Sequence, residues 1–227
     1  MNCKYYTKIC ARCKKSDDYI VFDRNCTTDY NLENYENYVN FDLQQCPFCG
    51  YISDDIEKGY TKQTEETIKS KEYEYLYKYS YLQPSQKAIN KNFLVSYPAN
   101  LYECYSLVLF NNKDYKNATR ALFKTVLLKE TLVNRFTHQM EEDIEDLTNE
   151  EIAQFKSLIK SLNDSIYKNI ETILNMSKNF ENDIFTNLIY IECLIKLNKM
   201  QHANQLLTKL KSKLNCDLLA YLQNKIN

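Results

Sequence analysis

The chain has 227 residues, enough for a sizeable hydrophobic core, and its 29 Lys and Arg nearly balance its 30 Asp and Glu to a formal net charge of −1. This balance disfavours generic binding to polyanions, because no overall positive field would draw the protein onto nucleic acid or an anionic membrane. No stretch approaches the ~18 apolar residues of a membrane span, and the first residues lack the apolar core of a signal peptide, so we expect a cytoplasmic protein.

The N-terminal part holds two close cysteine pairs, Cys10-Ala-Arg-Cys13 and Cys46-Pro-Phe-Cys49. Two thiolates separated by two residues can turn back onto one ion, and two such turns supply the four sulfurs of a closed structural Zn²⁺ site. Lys14 and Gly50 follow the pairs, where backbone N–H groups can point at sulfur. We therefore predict one Zn²⁺ held by Cys10, Cys13, Cys46 and Cys49.

Two short runs of β-branched and aromatic residues, Tyr19–Phe22 and Tyr38–Leu43, lie beside the cysteine pairs and predict strands. We expect a small β-rich zinc ribbon at residues 1–60. A unit of ~60 residues buries too little surface to fold comfortably alone, so an ion contributing on the order of 10 kcal/mol would be its main support.

Residues 61–227 predict an all-α domain. Both glycines, Gly50 and Gly59, precede this part, and helices tolerate glycine poorly. Apolar residues recur at spacings of three and four and predict a first helix ended by Pro84, a second stopped near Pro98 and a third that begins at Leu101.

Further helices follow signals of the same kind. Asp114 is the predicted N-cap of a fourth helix, and the capping box Thr148-Asn149-Glu150-Glu151 begins a long fifth one. The remaining apolar spacings predict a helix around Leu188, another around Leu206 and a short one around Leu218.

Two of the helical pairs resemble tetratricopeptide repeats. The first has Ser106 at the small-residue position and Ala118 twelve positions later, whereas the second has Ile191 and Ala203 there. Helices joined by turns of a few residues lie antiparallel and stack into a solenoid or a bundle. The pattern therefore predicts an all-α, tetratricopeptide-like array and leaves an unrelated helical bundle open.

The segment Phe41-Asp-Leu-Gln-Gln-Cys-Pro-Phe-Cys-Gly-Tyr51 resembles the CPxCGY segment of an uncharacterised bacterial family, domain of unknown function 2225. In that family a cysteine also lies between the two pairs, where Cys26 stands, whereas Ala11 replaces the usual proline and Tyr38 stands where an Asn-Pro is expected. The resemblance covers essentially the whole chain and implies a zinc ribbon followed by tetratricopeptide-like helices. It implies no activity.

A thiol-redox function is one alternative, because Cys46-Pro-Phe-Cys49 also resembles a glutaredoxin active site. That chemistry needs the pair at a strand-to-helix junction, and the second cysteine pair upstream argues against it. A redox-sensitive zinc site, with Cys3 or Cys26 exchanging into the cluster, is a related alternative. The odd total of nine cysteines, with Cys104, Cys193 and Cys216 single in helical patterns, favours a reducing compartment over a disulfide framework.

Other enzyme classes lack their usual sequence signals. Two glycines cannot form a phosphate-binding loop, a dinucleotide fingerprint or a nucleophile elbow, and His138 and His202 are expected at the surface or at a helix cap. We predict no catalytic and no cofactor-binding residue.

Nucleic-acid binding is a second alternative, since zinc ribbons often bind nucleic acid and four basic residues lie near the first cysteine pair: Lys8, Arg12, Lys14 and Lys15. Residues 1–60 nevertheless carry 7 basic and 10 acidic side chains, a net of 7 − 10 = −3, where a phosphate-binding module should be positive. We therefore predict a non-catalytic zinc-binding adaptor that binds a protein partner in its helical groove, with a nucleic-acid-associated regulatory protein as the alternative.

Overall fold

The structure, a computed structural model, describes residues 3–22, 43–80, 91–143, 145, 147–176 and 183–226. Two small antiparallel strand pairs come first. Strand β1 (Cys3–Ile9) pairs with β2 (Ser16–Phe22), and strand β3 (Gln44–Gln45) pairs with β4 (Ile52–Ser53). Strand β2 confirms the predicted strand at Tyr19–Phe22, whereas its partner β1 was not predicted. The second predicted strand lies outside the described residues except for Leu43.

After residue 61 the described part of the chain is helical, as the absence of glycine predicted, and it contains no strand. None of the helices in this part combines the length and the apolar character needed to cross a bilayer. The helices are α1 (Lys62–Ile68), α2 (Lys71–Ser80), α3 (Lys91–Asn111), α4 (Tyr115–Glu142), α5 (Asn149–Met176), α6 (Ile184–Lys196), α7 (Met200–Leu210) and α8 (Cys216–Ile226).

The first predicted helix is wrong, because it is two helices rather than one. Helix α1 ends at Ile68 and α2 begins at Lys71. The hydroxyl of Ser70 accepts a hydrogen bond from the backbone N–H of Tyr73 at 3.2 Å, as an N-cap does. The sequence signal for the start of α2 was Ser70 followed by the acidic residue Glu72.

The predicted helix boundary near Pro98 is also wrong, since α3 runs through it from Lys91 to Asn111. A proline removes one backbone donor and crowds the preceding turn, which costs about 3 kcal/mol inside a helix. Burial compensates for this cost, because Leu101, Tyr102 and Val108 on the following turns are almost completely buried.

The two predicted caps are confirmed. Asp114 accepts a hydrogen bond from the backbone N–H of Asn117 at 3.3 Å and begins α4. At the start of α5 the bonds are reciprocal: the N–H of Glu151 donates to the Thr148 hydroxyl at 3.3 Å, and the N–H of Thr148 donates to the Glu151 carboxylate at 2.9 Å.

The two helical hairpins α3–α4 and α6–α7 have the same turn geometry. Equivalent turn residues are 85 positions apart in the sequence, as Asn112 and Leu197 are. Lys113 and Asn198 have the corresponding positive φ values of 65° and 56°. Ala118 and Ala203, also 85 apart, are both fully buried. Three backbone hydrogen bonds recur at this offset. In the first hairpin the N–H groups of residues 112, 113 and 114 donate to the carbonyls of residues 108, 110 and 109. In the second hairpin the N–H groups of residues 197, 198 and 199 donate to the carbonyls of residues 193, 195 and 194.

The N-terminal module, defined here as the described residues 3–22 and 43–60, packs directly on the helices. Ile52 of β4 is fully buried in a cluster with Tyr73 of α2 and with Leu101 and Val108 of α3. The hydroxyl of Tyr73 donates to the carbonyl of Gly50 at 2.7 Å. The cysteine turns are therefore held against α2 and α3 by a shared core.

Asp183 joins α6 to α4 and gives the fold a pH-dependent contact. Its carboxylate caps α6 by accepting from the N–H of Thr186 at 2.9 Å, and it lies 2.6 Å from the Lys116 ammonium. Burial raises the pKa of Asp183, but Lys116 and Thr186 outweigh it and hold that pKa at about 2.

We expect Asp183→Asn to lower the free energy of unfolding by about 1 kcal/mol at pH 7, since the amide oxygen can still cap α6 but the ion pair with Lys116 and the negative charge at the helix N-terminus are lost. The folded pKa of Asp183 is below the unfolded value, so this contribution is present above about pH 4 and declines as the pH falls toward 2. Urea unfolding at pH 7 and pH 3 should therefore show a smaller difference at the lower pH. Asp164→Asn, on an exposed site of α5, should change stability by less than about 0.5 kcal/mol.

Candidate metal centre

Each strand pair ends in a turn that carries two of the cysteines, and the two turns have the same backbone geometry. The fifth residue of each turn, Lys14 or Gly50, has a positive φ, 61° and 73° respectively. The matching hydrogen bonds are Lys14 N to Cys10 O at 3.0 Å with Cys10 N to Lys15 O at 2.9 Å, and Gly50 N to Cys46 O at 3.0 Å with Cys46 N to Tyr51 O at 2.8 Å.

The structure brings the four predicted ligands together. Their Sγ atoms all lie within 4.8 Å of one another, with 3.6 Å between Cys10 and Cys49 and 3.6 Å between Cys13 and Cys46. Cys10 and Cys46 are fully buried, and Cys13 and Cys49 are partly buried. The cysteines are free thiols. This cluster can hold one metal ion.

The thiols are not equivalent. Burial raises the pKa of Cys10 and also that of Cys49. At Cys13 burial acts in the same direction, but the backbone N–H of Lys15 and hydrogen bonds from neighbouring thiols outweigh it and lower the pKa to about 7. A bound cation would favour the thiolate at all four positions, because it is the largest local charge in such a site.

Tyr19 supplies a hydrogen-bond donor beside the sulfurs. It is 6% exposed, it packs with Cys10 and Cys46, and among the described residues its Oη has no hydrogen-bond partner. Burial raises the pKa of Tyr19, and the neighbouring Cys46 raises it further, so the phenol keeps its proton. A phenol O–H beside the sulfur of Cys46 fits a site in which the thiols become anionic acceptors around a metal.

Arg12 links both cysteine turns to the first helix. It lies in the first turn, donates to the backbone carbonyl of Cys49 in the second turn, and pairs with Glu65 of α1 at 2.7 Å and 3.2 Å. Arg12 lowers the pKa of the Glu65 carboxyl to about 2, with help from Tyr60 and Lys69. The guanidinium therefore fixes the orientation of the two turns and of α1 relative to one another.

The same contacts reduce the positive charge that the first turn presents to solvent. Arg12 is paired with Glu65, and the Lys8 ammonium lies 3.0 Å from the Asp55 carboxylate. Lys15 lies over the ring of Phe48, 4.8 Å from its centroid. Two of the four basic residues on which the nucleic-acid alternative depends are thus paired inside the molecule, which weakens that alternative.

The redox alternative also loses support. Cys46 and Cys49 lie in a turn between the two short strands β3 and β4, whereas dithiol catalysis needs a strand-to-helix junction. Cys26 lies outside the described residues, so exchange through it stays a prediction. His138 and His202 are exposed on α4 and α7, as predicted.

No family model, no curated protein and no solved structure matches this chain. Sequence reasoning found all four cysteines from their spacing, but it missed the contributions of Tyr19 and Glu65. No local signal marks either residue, because each meets the cysteine turns through the fold.

The matching turn positions Gly50 and Lys14 allow a controlled test of backbone strain. A Cβ at Gly50 would lie 2.8 Å from Cζ of Tyr77, and the left-handed conformation itself costs an L-residue about 1–2 kcal/mol. We expect Gly50→Ala to lower the free energy of unfolding by at least ~1 kcal/mol, measured by urea unfolding of metal-loaded protein. Lys14→Gly relieves the same conformation in the other turn and should not destabilise the protein. Equal effects of the two substitutions would contradict the left-handed backbone conformation of the two turns.

Proposed function

We propose that this protein is a non-catalytic, zinc-binding adaptor that holds a protein partner in the groove of its helical domain. The observation that carries the proposal is the convergence of four thiols on one point. In the described part of the chain no His, Asp or Glu belongs to this cluster. Four sulfurs at about 2.3 Å from a tetrahedral zinc ion lie about 3.8 Å apart, close to the 3.6 Å that separates Cys10 from Cys49 and Cys13 from Cys46. Four protein ligands leave no open coordination position for substrate or water, so the ion supports the fold.

The helical groove is the proposed partner site. Helices α3 and α5 both pack against α4, and the space between α5 and the α2–α3 pair forms a groove of about 850 Å³. Tyr75, Leu76 and Phe110 line one side, and Leu158, Leu162 and Met176 line the other. A concave surface with aromatic and aliphatic walls is suited to binding a protein segment.

The recurrence of one helical hairpin after 85 residues, from Asn112 to Leu197, supports the further proposal that the helices form a tetratricopeptide-like array. Together with the cysteine turns, it also supports the proposal that the chain is related to domain of unknown function 2225. The free thiol of Cys193, fully buried on α6, supports a location in a reducing compartment such as the cytoplasm.

Metal analysis of protein purified without added zinc tests the first part of this proposal. We expect about one zinc ion per chain by plasma mass spectrometry, because a closed site of four thiolates binds zinc tightly. Metal-free protein that readily forms a disulfide between Cys46 and Cys49 would favour the redox function instead.

Binding to mixed-sequence DNA and RNA at low salt separates the adaptor from its main alternative. The protein carries no net cationic charge and its turn cations are partly paired, so we expect weak binding that salt abolishes. Tight binding with a steep salt dependence would contradict the adaptor function.

A further inference from the structure

The floor of the helical groove contains a buried polar cluster where an apolar core would be expected. Lys129 of α4 is 3% exposed. Its ammonium lies 2.8 Å from the Glu103 carboxylate of α3 and 2.7 Å from the Ser165 hydroxyl of α5. All three side chains line the groove. Apolar residues of similar size often stabilise a core as well as a buried ion pair does, so packing alone does not require this cluster.

The cluster has hydrogen-bond donors that the described residues leave unused. An ammonium has three N–H donors. Lys129 donates two of them, to Glu103 and Ser165, which leaves the third without an acceptor in the part of the chain that the structure describes. Ser165 accepts the bond from Lys129, so its own O–H remains available. Asn169, one turn further along α5, is 4% exposed and lines the groove, and its Nδ2 has no hydrogen-bond partner among the described residues. Such a buried amide donor can be satisfied by an acceptor from outside the chain.

The charge at this floor selects the kind of acceptor. The Glu103 carboxylate already compensates the Lys129 ammonium. An incoming carboxylate would have to give up its hydration at a floor whose one buried ammonium is already paired, and an incoming ammonium would meet the N–H and O–H donors of Lys129, Ser165 and Asn169. An uncharged oxygen avoids both penalties. Because the donors lie at the bottom of the groove, a side chain must reach down to them, and a carboxamide is the uncharged side chain with a strong acceptor oxygen.

The length of the groove indicates an extended peptide rather than a compact small molecule. Its lining on α5 runs from Leu158 to Met176, which spans about 27 Å at 1.5 Å per helical residue. An extended chain rises about 3.3 Å per residue, so about eight residues would fill this length. Tyr75 and Phe110, 61% and 41% exposed, offer apolar surface along the opposite wall.

We propose that the helical groove binds an extended protein segment and receives the carboxamide oxygen of one Asn or Gln side chain at Lys129, Ser165 and Asn169. This inference rests on the proposed adaptor function and specifies the chemistry of its partner. Glu103 holds the Lys129 ammonium in place, and because it already neutralises that ammonium, an acidic side chain would lose its hydration here without gaining an unpaired cation.

Peptide titrations of the zinc-loaded full-length protein, followed by amide NMR shifts, test this proposal. The probes are three capped eight-residue peptides of alanine, serine and leucine that differ only in a central glutamine, glutamate or leucine. The glutamine peptide should shift resonances of groove residues and bind at least fivefold more tightly than the glutamate and leucine peptides. Asn169→Leu should remove most of this preference. Binding in the groove without a preference for glutamine would overturn this inference and leave the adaptor function standing, whereas no binding by any peptide at millimolar concentration would count against both.

A stability measurement keeps the test independent of the peptides. If Asn169 is retained for binding, Asn169→Leu should raise the urea midpoint of the free protein, because it replaces an unpartnered buried amide with an apolar side chain of similar size. Thr125→Val is the matched control, since its buried hydroxyl donates to the carbonyl of Ala99 at 3.3 Å, and it should lower the midpoint. A lower midpoint for Asn169→Leu would show a structural role and overturn the proposal.

Discussion

Cys46→Ser is expected to release the metal and to unfold the N-terminal module. A structural zinc site contributes on the order of 10 kcal/mol, as much as the whole stability of many small domains. Cys46 is fully buried and lies 3.6 Å from Cys13, so its loss removes one sulfur from the centre of the cluster. Zinc content by mass spectrometry should fall to well below one ion per chain, and NMR signals of the module should collapse to the narrow shift range of unfolded chain.

The effect of Cys46→Ser should diminish with distance from the cluster. Helices α6, α7 and α8 form a separate hydrophobic cluster around Leu188, Leu207 and Leu222, with no member from the module, so their helical signal should persist. Cys216→Ser is the matched control, because Cys216 is an exposed thiol on α8 outside the cluster, and it should keep both metal and fold. Full metal retention by Cys46→Ser would contradict a site of four thiolates.

The parts of the fold that could be predicted from sequence are those set by residues close together in the chain. The spacing of Cys10 and Cys13 predicts two of the four metal ligands, because two cysteines separated by two residues can form a turn that brings both sulfurs to one ion. Asp114 and Thr148 mark helix starts for the same reason, since each caps a backbone group three residues away. Such local signals need no knowledge of the tertiary structure.

The parts that could not be predicted depend on contacts between distant residues. Arg12 meets Glu65 across 53 residues of chain, and Lys129 meets Ser165 across 36. From sequence alone Arg12 counts as a free cation near a cysteine pair, although the fold neutralises it. Pro98 was misread in a similar way, because its local tendency to end a helix is outweighed by the burial of the turns that follow it.

Ile52→Ala is expected to destabilise the module and the helices together, by about 2–5 kcal/mol. Ile52 is fully buried against Tyr73, Leu101 and Val108, so its truncation leaves a cavity at the contact between strand β4 and the two helices α2 and α3. Urea unfolding should be followed by far-ultraviolet circular dichroism for the helices and by a zinc-binding dye for the cysteine cluster. Both transitions should move to lower urea by the same amount, because a shared core couples the two parts.

Ile9→Ala provides the matched control, since Ile9 is also on a strand of the module but is 54% exposed, and it should cost less than about 0.5 kcal/mol. If Ile52→Ala moved only the zinc transition, residues 1–60 and 61–227 would be independent domains, with the metal stabilising the first alone. A joint shift would mean that the metal also stabilises the helices on which the N-terminal module packs. Metal removal would then loosen α2 and α3, which form one wall of the groove, and the proposed partner segment should bind more weakly to the metal-free protein.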